Sequence, residues 1–194
     1  MMHTKNLSIV LVIIALFLLA GCDDSKKSIK NTLLSMQKDT IIMPLDKMIC
    51  MHSENAESIT LKGCTLKDTY QYIVYVDSTQ CNPCAIDGMY AWNVLVDSLR
   101  TRKSHVDFVF IVAPRKEQME ETILSIKSSG IISDVYVDTS YVFSLSNPRL
   151  PQKEKFHCFL INKENKIIMV GDILYNPAVR KLFNKIINLN KQNL

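Results

Sequence analysis

The fold is decided by residues 70–84, which read YQYIVYVDSTQCNPC. The first seven of these, Tyr70 to Val76, are rich in β-branched and aromatic side chains and predict a buried strand. Val106 to Ala113 is a nearly continuous apolar run and predicts a second buried strand. Between them, apolar residues recur at steps of three and four positions, which predicts a helix with one apolar face. They are Ala85, Met89, Trp92, Leu95, Val96 and Leu99.

Apolar runs and helical patterns alternate along the rest of the chain, which predicts an α/β fold with a central mixed sheet flanked by helices. Short strands are expected at Thr40 to Met43, Met48 to His52, Ser58 to Leu61 and Val135 to Val137. A β-hairpin is expected from Phe156 to Ile161 and Lys166 to Val170, around Lys163 to Asn165. Helices are expected from Lys116 to Ser128, ending at Gly130, over Tyr141 to Leu145, and from Pro177 to about Ile187.

Cys81-Asn82-Pro83-Cys84 is a CxxC motif at the junction of the first strand and its helix. A thiol at a helix N-terminus faces unpaired N–H groups and the positive end of the dipole, which favour the thiolate. Asn82 and Pro83 form the supporting loop, and Pro83 suits a first helical turn because no N–H is needed there. Taken alone, the pair is also compatible with a structural disulfide or half of a zinc site. No second CxxC and no HxxxH accompany it, so a closed zinc site is disfavoured and no metal is expected.

Residues 74–84, VYVDSTQCNPC, resemble the strand and active-site loop of thioredoxin-fold proteins. The resemblance covers about Lys47 to Asn188, and it is closest to membrane-anchored, extracytoplasmic thiol-disulfide oxidoreductases and thioredoxin-fold lipoproteins. It implies a thioredoxin-like fold with an N-terminal β extension. It also implies Cys81 as the attacking thiolate and Cys84 as the resolving thiol. Protein thiols and disulfides and an upstream thiol donor would be the partners, and no diffusible cofactor is expected.

Three positions depart from the pattern of these families. The cis-proline that usually precedes the late strand opposite the CxxC is replaced, at the matching position, by Phe156. A trans peptide bond is expected there, because a cis peptide bond has a low energy cost only before proline. Gln80 stands in place of the aromatic residue before the first cysteine, and Tyr75 in place of a buried carboxylate. Asp77 is expected on the opposite face of the strand from Tyr75, so no proton acceptor is evident.

His157 and Cys158 open the late strand, whose loop faces the CxxC in thioredoxin folds. A Cu(I)-binding metallochaperone is therefore one alternative function, since Cu(I) accepts thiolates and imidazole. A second alternative is a redox-inactive scaffold or binding lipoprotein in which the CxxC is a structural disulfide. The plainer expectation is that His157 is a partly exposed strand residue and Cys158 a small buried hydrophobe.

Cys50 and Cys64 are candidates for a structural disulfide that closes the N-terminal hairpin. Such a bond persists in an oxidising compartment, and a loop of about 15 residues adds around 3 kcal/mol in the chain-entropy model. Cys158 is an alternative partner, because sequence does not fix connectivity.

The N-terminus is typical of a lipoprotein signal peptide. Lys5 precedes residues 7–20, which are apolar apart from Ser8. About 14 apolar residues are fewer than the roughly 20 that a membrane-spanning helix needs. Residues 19–22, LAGC, resemble the lipobox of bacterial lipoproteins, which implies removal of residues 1–21 and lipidation of Cys22. The expected location is the cell envelope, lipid-anchored and facing the periplasm, with the inner and outer membranes both open.

The expected organisation is a lipidated, flexible tether over residues 22–38 and one thioredoxin-like domain over residues 39–194. A short helical patch near Leu33 to Met36 is expected within the tether. The 23 basic and 19 acidic side chains form no basic block, so nucleic acid is not an expected partner.

Overall fold

The computed structural model describes residues 26–51, 59–60, 70–80 and 82–189. The chain divides into two compact units, one up to Gln37 and one from Lys38 onward. In the first unit the structure describes helix α1, residues 26–36, which is longer than the helical patch expected near Leu33 to Met36. The expected signal peptide and lipidation site lie outside the described residues. Over the described ranges, no helix is long and apolar enough to span a bilayer.

The second unit is built on one sheet of seven strands. The strands are β1 Ile49–Met51, β2 Ile59–Thr60, β3 Tyr70–Val76, β4 Val106–Val112, β5 Val135–Val137, β6 Cys158–Ile161 and β7 Ile167–Val170. Their order in the sheet is β2-β1-β5-β4-β3-β6-β7. The central strands β3, β4 and β5 are parallel, whereas every other neighbouring pair is antiparallel. Parallel neighbours require crossover connections, and helices supply them here.

The helices of this unit are α2 Asn82–Asp87, α3 Asn93–Thr101, α4 Met119–Ser128, α5 Val142–Ser146 and α6 Pro177–Leu189. The single helix predicted between β3 and β4 is wrong, because a 3₁₀ turn over Met89–Trp92 separates α2 from α3. Gly88, a poor helix former, precedes this turn. The apolar pattern behind the prediction is still satisfied, since Met89 and Trp92 are both buried.

Two expected strands differ in the structure. Thr40 to Met43 forms no strand, and Thr40 makes only an isolated bridge to Lys166. The N–H and C=O of Ile42 instead bond to the side chain of Asn147, so this backbone is satisfied without a neighbouring strand. The late hairpin begins at Cys158 and not at Phe156, because residues Glu154–Phe156 form a 3₁₀ turn.

An aromatic cluster joins α6 and the 3₁₀ turn before α3 to the sheet. The ring of Tyr72 lies 5.7 Å from Trp92, 5.5 Å from Phe108 and 5.7 Å from Phe183, centroid to centroid. Such pairs add to the free energy gained by burying their area. The parallel centre, the β6-β7 hairpin and the N-terminal β1-β2 pair confirm the predicted thioredoxin-like α/β fold with an N-terminal β extension.

Candidate active site

The CxxC motif follows β3 in the chain, and its last three residues belong to α2. β3 is flanked by β4 and β6, and α2 begins at Asn82, the second residue of the motif. The predicted junction of strand and helix is therefore present. Cys81 and the side chains of residues 82–84 lie outside what the structure describes, so the roles of Cys81 and Cys84 stay predictions.

A cleft of about 520 Å³ borders the motif. Gln80 and Ala85, which flank the four residues of the motif, line this cleft together with His157 and Cys158 from the start of β6. The loop before β6 therefore borders the same cleft as the residues that flank the CxxC. The other described lining residues are Val74, Tyr75, Val76, Gly88, Met89, Trp92, Glu154, Lys155, Asp172 and Tyr175.

Hydrogen bonds hold the loop that leads from β3 to the motif. The Oδ1 atom of Asp77 accepts bonds from the N–H of Thr79 at 2.8 Å and from its hydroxyl at 2.6 Å. The N–H of Gln80 donates to the Asp77 carbonyl at 3.2 Å. Arg115 Nε donates to the Ser78 carbonyl at 2.7 Å, which ties the loop to the segment that follows β4. The residue before Cys81 therefore has a defined position.

His157 is 2% exposed and directly precedes β6, which corrects the expectation of a partly exposed strand residue. Burial is possible because both ring nitrogens have protein partners. Nε2 lies 2.8 Å from the Pro151 carbonyl, which only accepts, so this nitrogen carries a hydrogen. In the neutral ring Nδ1 is then an acceptor, and the Gln80 side-chain Nε2 donates to it at 3.3 Å.

Tyr75 and Asp77 approach the same histidine, so the expectation that they occupy opposite faces is wrong. The ring of Tyr75 is 5.1 Å from that of His157, centroid to centroid, and Asp77 Oδ2 is 3.8 Å from His157 Nδ1. Residues two apart along an extended chain point to one side. Burial raises the pKa of Tyr75 to about 12, so its phenol is protonated at neutral pH and cannot act as the missing carboxylate.

Cys158 is a free, half-buried cysteine that packs against the hydrophobic core. Burial raises the pKa of its thiol to about 12, and the Asp172 carboxylate contributes in the same direction. The thiolate is the reactive form of cysteine, so this thiol is a poor nucleophile at neutral pH. Cys158 therefore packs as the expected small hydrophobe, but it is half-buried and not buried.

Every peptide bond among the described residues is trans, as predicted for the loop that lacks the cis-proline. Phe156, at the matching position, is buried at the end of the 3₁₀ turn. The carbonyl of His157 accepts a hydrogen bond from the N–H of Tyr75 at 3.0 Å. The loop is therefore hydrogen-bonded to β3 directly before β6 begins.

Cys50 is fully buried in β1 and is disulfide-bonded. The structure does not describe the sulfur of its partner, so the Cys50–Cys64 pairing stays a prediction. Cys158 is free, and this excludes it as the alternative partner.

The Cu(I) alternative needs the sulfurs of Cys81 and Cys84, which lie outside what the structure describes. Nowhere in the described part of the second unit do three His, Cys, Asp or Glu side chains converge to hold an ion. His157, the ligand that the Cu(I) alternative requires, already uses Nδ1 and Nε2 in hydrogen bonds to Gln80 and Pro151. A metal ion that bound this ring would have to displace one of these two hydrogen-bond partners.

The comparisons with known proteins give only distant likenesses. No family model and no curated protein matches the chain. A thioredoxin-like protein solved in the oxidized form is 14% identical, over 75% of this chain and 98% of that one, with a TM-score of 0.45. A peroxiredoxin-like protein from Aquifex aeolicus is 16% identical, over 75% and 85%, with a TM-score of 0.39.

A hypothetical protein from Sinorhizobium meliloti 1021 is 12% identical, over 55% of this chain and 57% of that one, with a TM-score of 0.39. The chain thus spans little more than half the length of that neighbour. The order and directions of the strands, and not these likenesses, establish that the fold is a thioredoxin-like α/β fold.

Proposed function

We propose that the chain is an extracytoplasmic thiol-disulfide oxidoreductase that exchanges disulfides with protein substrates through Cys81 and Cys84. One observation carries the proposal: the CxxC segment follows β3 and enters α2 at Asn82, and the residues on either side of it line the 520 Å³ cleft. A substrate disulfide must reach an exposed sulfur, and such a cleft provides access beside the motif.

The proposed reaction needs only the two thiols and a substrate disulfide. The Cys81 thiolate attacks one substrate sulfur, forms a mixed disulfide and expels the other substrate sulfur as a thiolate. Cys84 then attacks Cys81, which closes the Cys81–Cys84 bond and releases the second substrate thiolate. Two electrons pass from the cysteine pair to the substrate, and an upstream thiol donor restores the pair. Oxidation of a substrate dithiol follows the same steps in reverse.

The reduction potential tests this proposal against a redox-inactive scaffold. We expect a Cys81–Cys84 potential between about −120 and −270 mV, the span of thiol oxidoreductases, whereas structural disulfides typically lie below about −300 mV. The full-length chain in detergent is equilibrated in thiol redox buffers, alkylated and digested, and the peptide with both cysteines is quantified by mass spectrometry.

The disulfide of buried Cys50 is an internal reference in the same samples, since we expect it to stay oxidised throughout this range. A Cys81–Cys84 potential as low as that of the reference bond would favour the scaffold and end the catalytic proposal.

We also propose that the domain is lipid-anchored through Cys22 in the cell envelope and faces the periplasm. The apolar run followed by LAGC supports this assignment. In bacteria fed labelled palmitate, the wild-type chain is expected to incorporate label and to lose residues 1–21. The Cys22→Ala variant is expected to do neither, because it lacks the acceptor thiol. Equal labelling of the two chains would show that Cys22 is not the anchor.

A further inference from the structure

The cleft beside the CxxC segment has a charge opposite to that of the whole chain. The sequence carries 23 basic and 19 acidic side chains. The described residues that line the 520 Å³ cleft include two acids, Glu154 and Asp172, and one base, Lys155. The Lys155 ammonium lies 5.2 Å from the ring centroid of Phe156, which is not among those lining residues. The described lining therefore has an excess of negative charge.

The two carboxylates come from segments that lie side by side. Glu154 begins the 3₁₀ turn before β6, and Asp172 lies in the turn after β7. The N–H of Gly171 donates to the Cys158 carbonyl at 2.8 Å, which joins the turn after β7 to the start of β6. Burial raises the pKa of the Cys158 thiol to about 12, and the carboxylates of Asp172 and Glu154 contribute in the same direction. Both negative charges therefore act on the same part of the cleft.

Neither carboxylate is paired with a cation of the protein. Among the residues that the structure describes, neither forms an ion pair with a lysine or an arginine. Asp172 Oδ1 accepts hydrogen bonds from the N–H of Leu174 at 2.6 Å and of Tyr175 at 3.0 Å, which orient the carboxylate without a cation. The guanidinium of Arg180 donates to the carbonyls of Ile173 and Leu174 instead. A cationic ligand can therefore pair with these carboxylates.

The other lining residues suit a long cationic side chain. Val74, Met89 and Trp92 are buried and give the cleft apolar surface. Tyr175 also lines the cleft and is 72% exposed, so its ring is accessible to a ligand. Lysine and arginine pack their apolar stems against such surface and keep the charged head among polar groups. The face of an aromatic ring attracts the same head.

We propose that the cleft selects protein substrates with an arginine or lysine close to the reacting cysteine, recognised by Glu154, Asp172 and Tyr175. This inference rests on the proposed function above. Gln80 and Ala85, the residues on either side of the CxxC, line the same cleft. A side chain bound there therefore belongs to the segment that carries the substrate cysteine. The volume of 520 Å³ lies within the range of about 300–1,000 Å³ that is usual for ligand pockets.

The test compares arginine with citrulline, its neutral isostere, in short peptides whose single cysteine is blocked with glutathione. The residue is placed in turn at each of the four positions nearest to the cysteine, and leucine and glutamate versions complete the set. The release of glutathione by the full-length chain in detergent gives kcat/KM for each peptide. The same peptides with serine in place of cysteine are used to measure binding by fluorescence anisotropy, which requires no exchange.

We expect the wild type to prefer arginine over citrulline about tenfold in both measurements, at one or more of the four positions. An exposed ion pair contributes up to about fivefold, and a cation–π contact contributes about twofold. The glutamate peptides should bind more weakly than the citrulline peptides, because like charges repel. The preference should fall as the salt concentration rises, since salt screens charges that are accessible to solvent.

Glu154→Gln and Asp172→Asn should each lower the ratio of arginine to citrulline, and the double variant should bring it close to one. Asparagine keeps the Oδ1 acceptor for the N–H groups of Leu174 and Tyr175, so the turn is preserved. Glu164→Gln is the matched control, because it removes one negative charge from the exposed β6-β7 turn, outside the cleft, and should keep the wild-type ratio. If Asp172→Asn does not fold in a thermal-unfolding control, Glu154→Gln decides, since that side chain is exposed.

Equal binding of the arginine and citrulline peptides at all four positions would overturn the inference. So would a preference for arginine that survives in the folded variants, or tighter binding of the leucine peptides, which would make the cleft an apolar subsite. Selective binding of the serine peptides without exchange of any cysteine peptide would instead overturn the proposed function alone. The absence of both would overturn the proposed function and this inference together.

Discussion

Replacing Cys81 with serine is expected to reduce disulfide exchange by the full-length chain to the uncatalysed background. A serine hydroxyl cannot form a disulfide, so the first covalent step is lost completely. Cys84→Ser keeps the attacking thiolate but removes the resolving thiol, and should therefore accumulate the mixed disulfide. The measurement is the rate of glutathione formation from a glutathione-blocked model peptide, with acid-quenched mass spectrometry of the protein.

Cys158→Ser is the matched control for both variants. Cys158 borders the same cleft, but burial raises the pKa of its thiol to about 12, so little of it is thiolate at neutral pH. We expect this variant to keep the wild-type rate. Activity that survives in Cys81→Ser and disappears in Cys158→Ser would place the nucleophile on β6 and contradict the proposed function.

Local sequence patterns predicted most of the fold. β3 and β5 match the expected ranges, β4 is one residue shorter, and α6 begins at Pro177. Each of these elements carries its own signal, since buried strands are apolar throughout and proline suits a first helical turn. The broken helix at Gly88 was missed because a 3₁₀ turn can bury the same apolar positions as an α-helix.

The contacts of the residues around the motif were harder to predict from the sequence. The apolar patterns on either side of Cys81 and Cys84 are local, and they predicted the junction of strand and helix. The bonds of His157 to Gln80 and to Pro151 depend on how the β6 loop packs, and Gln80 and His157 are 77 positions apart. In the sequence, Gln80 stood out only because it replaces the aromatic residue that usually precedes the first cysteine. Asp77 was misassigned to the face opposite Tyr75, although the two-residue period of an extended chain puts both residues on the same side.

Replacing Trp92 with alanine is expected to destabilise the domain by about 3–5 kcal/mol, the usual cost of removing a large buried aromatic side chain. Trp92 is 5% exposed, and its ring lies 5.7 Å from Tyr72 and 5.9 Å from Phe110, centroid to centroid. It also lines the cleft, so it connects the hydrophobic core to the candidate site. Urea unfolding followed by circular dichroism measures the loss, because Trp92 is the chain's single tryptophan and its fluorescence disappears in the variant.

Tyr90→Ala is the matched control, since Tyr90 belongs to the same 3₁₀ turn but is 61% exposed. We expect its free energy of unfolding to stay within about 0.5 kcal/mol of the wild type. If the free energy of unfolding falls equally in both variants, the 3₁₀ turn tolerates neither substitution, and the burial of Trp92 is not the cause of the loss. If neither loses any, Trp92 does not hold α3 against the sheet, and the order of the cleft must come from the loops around His157.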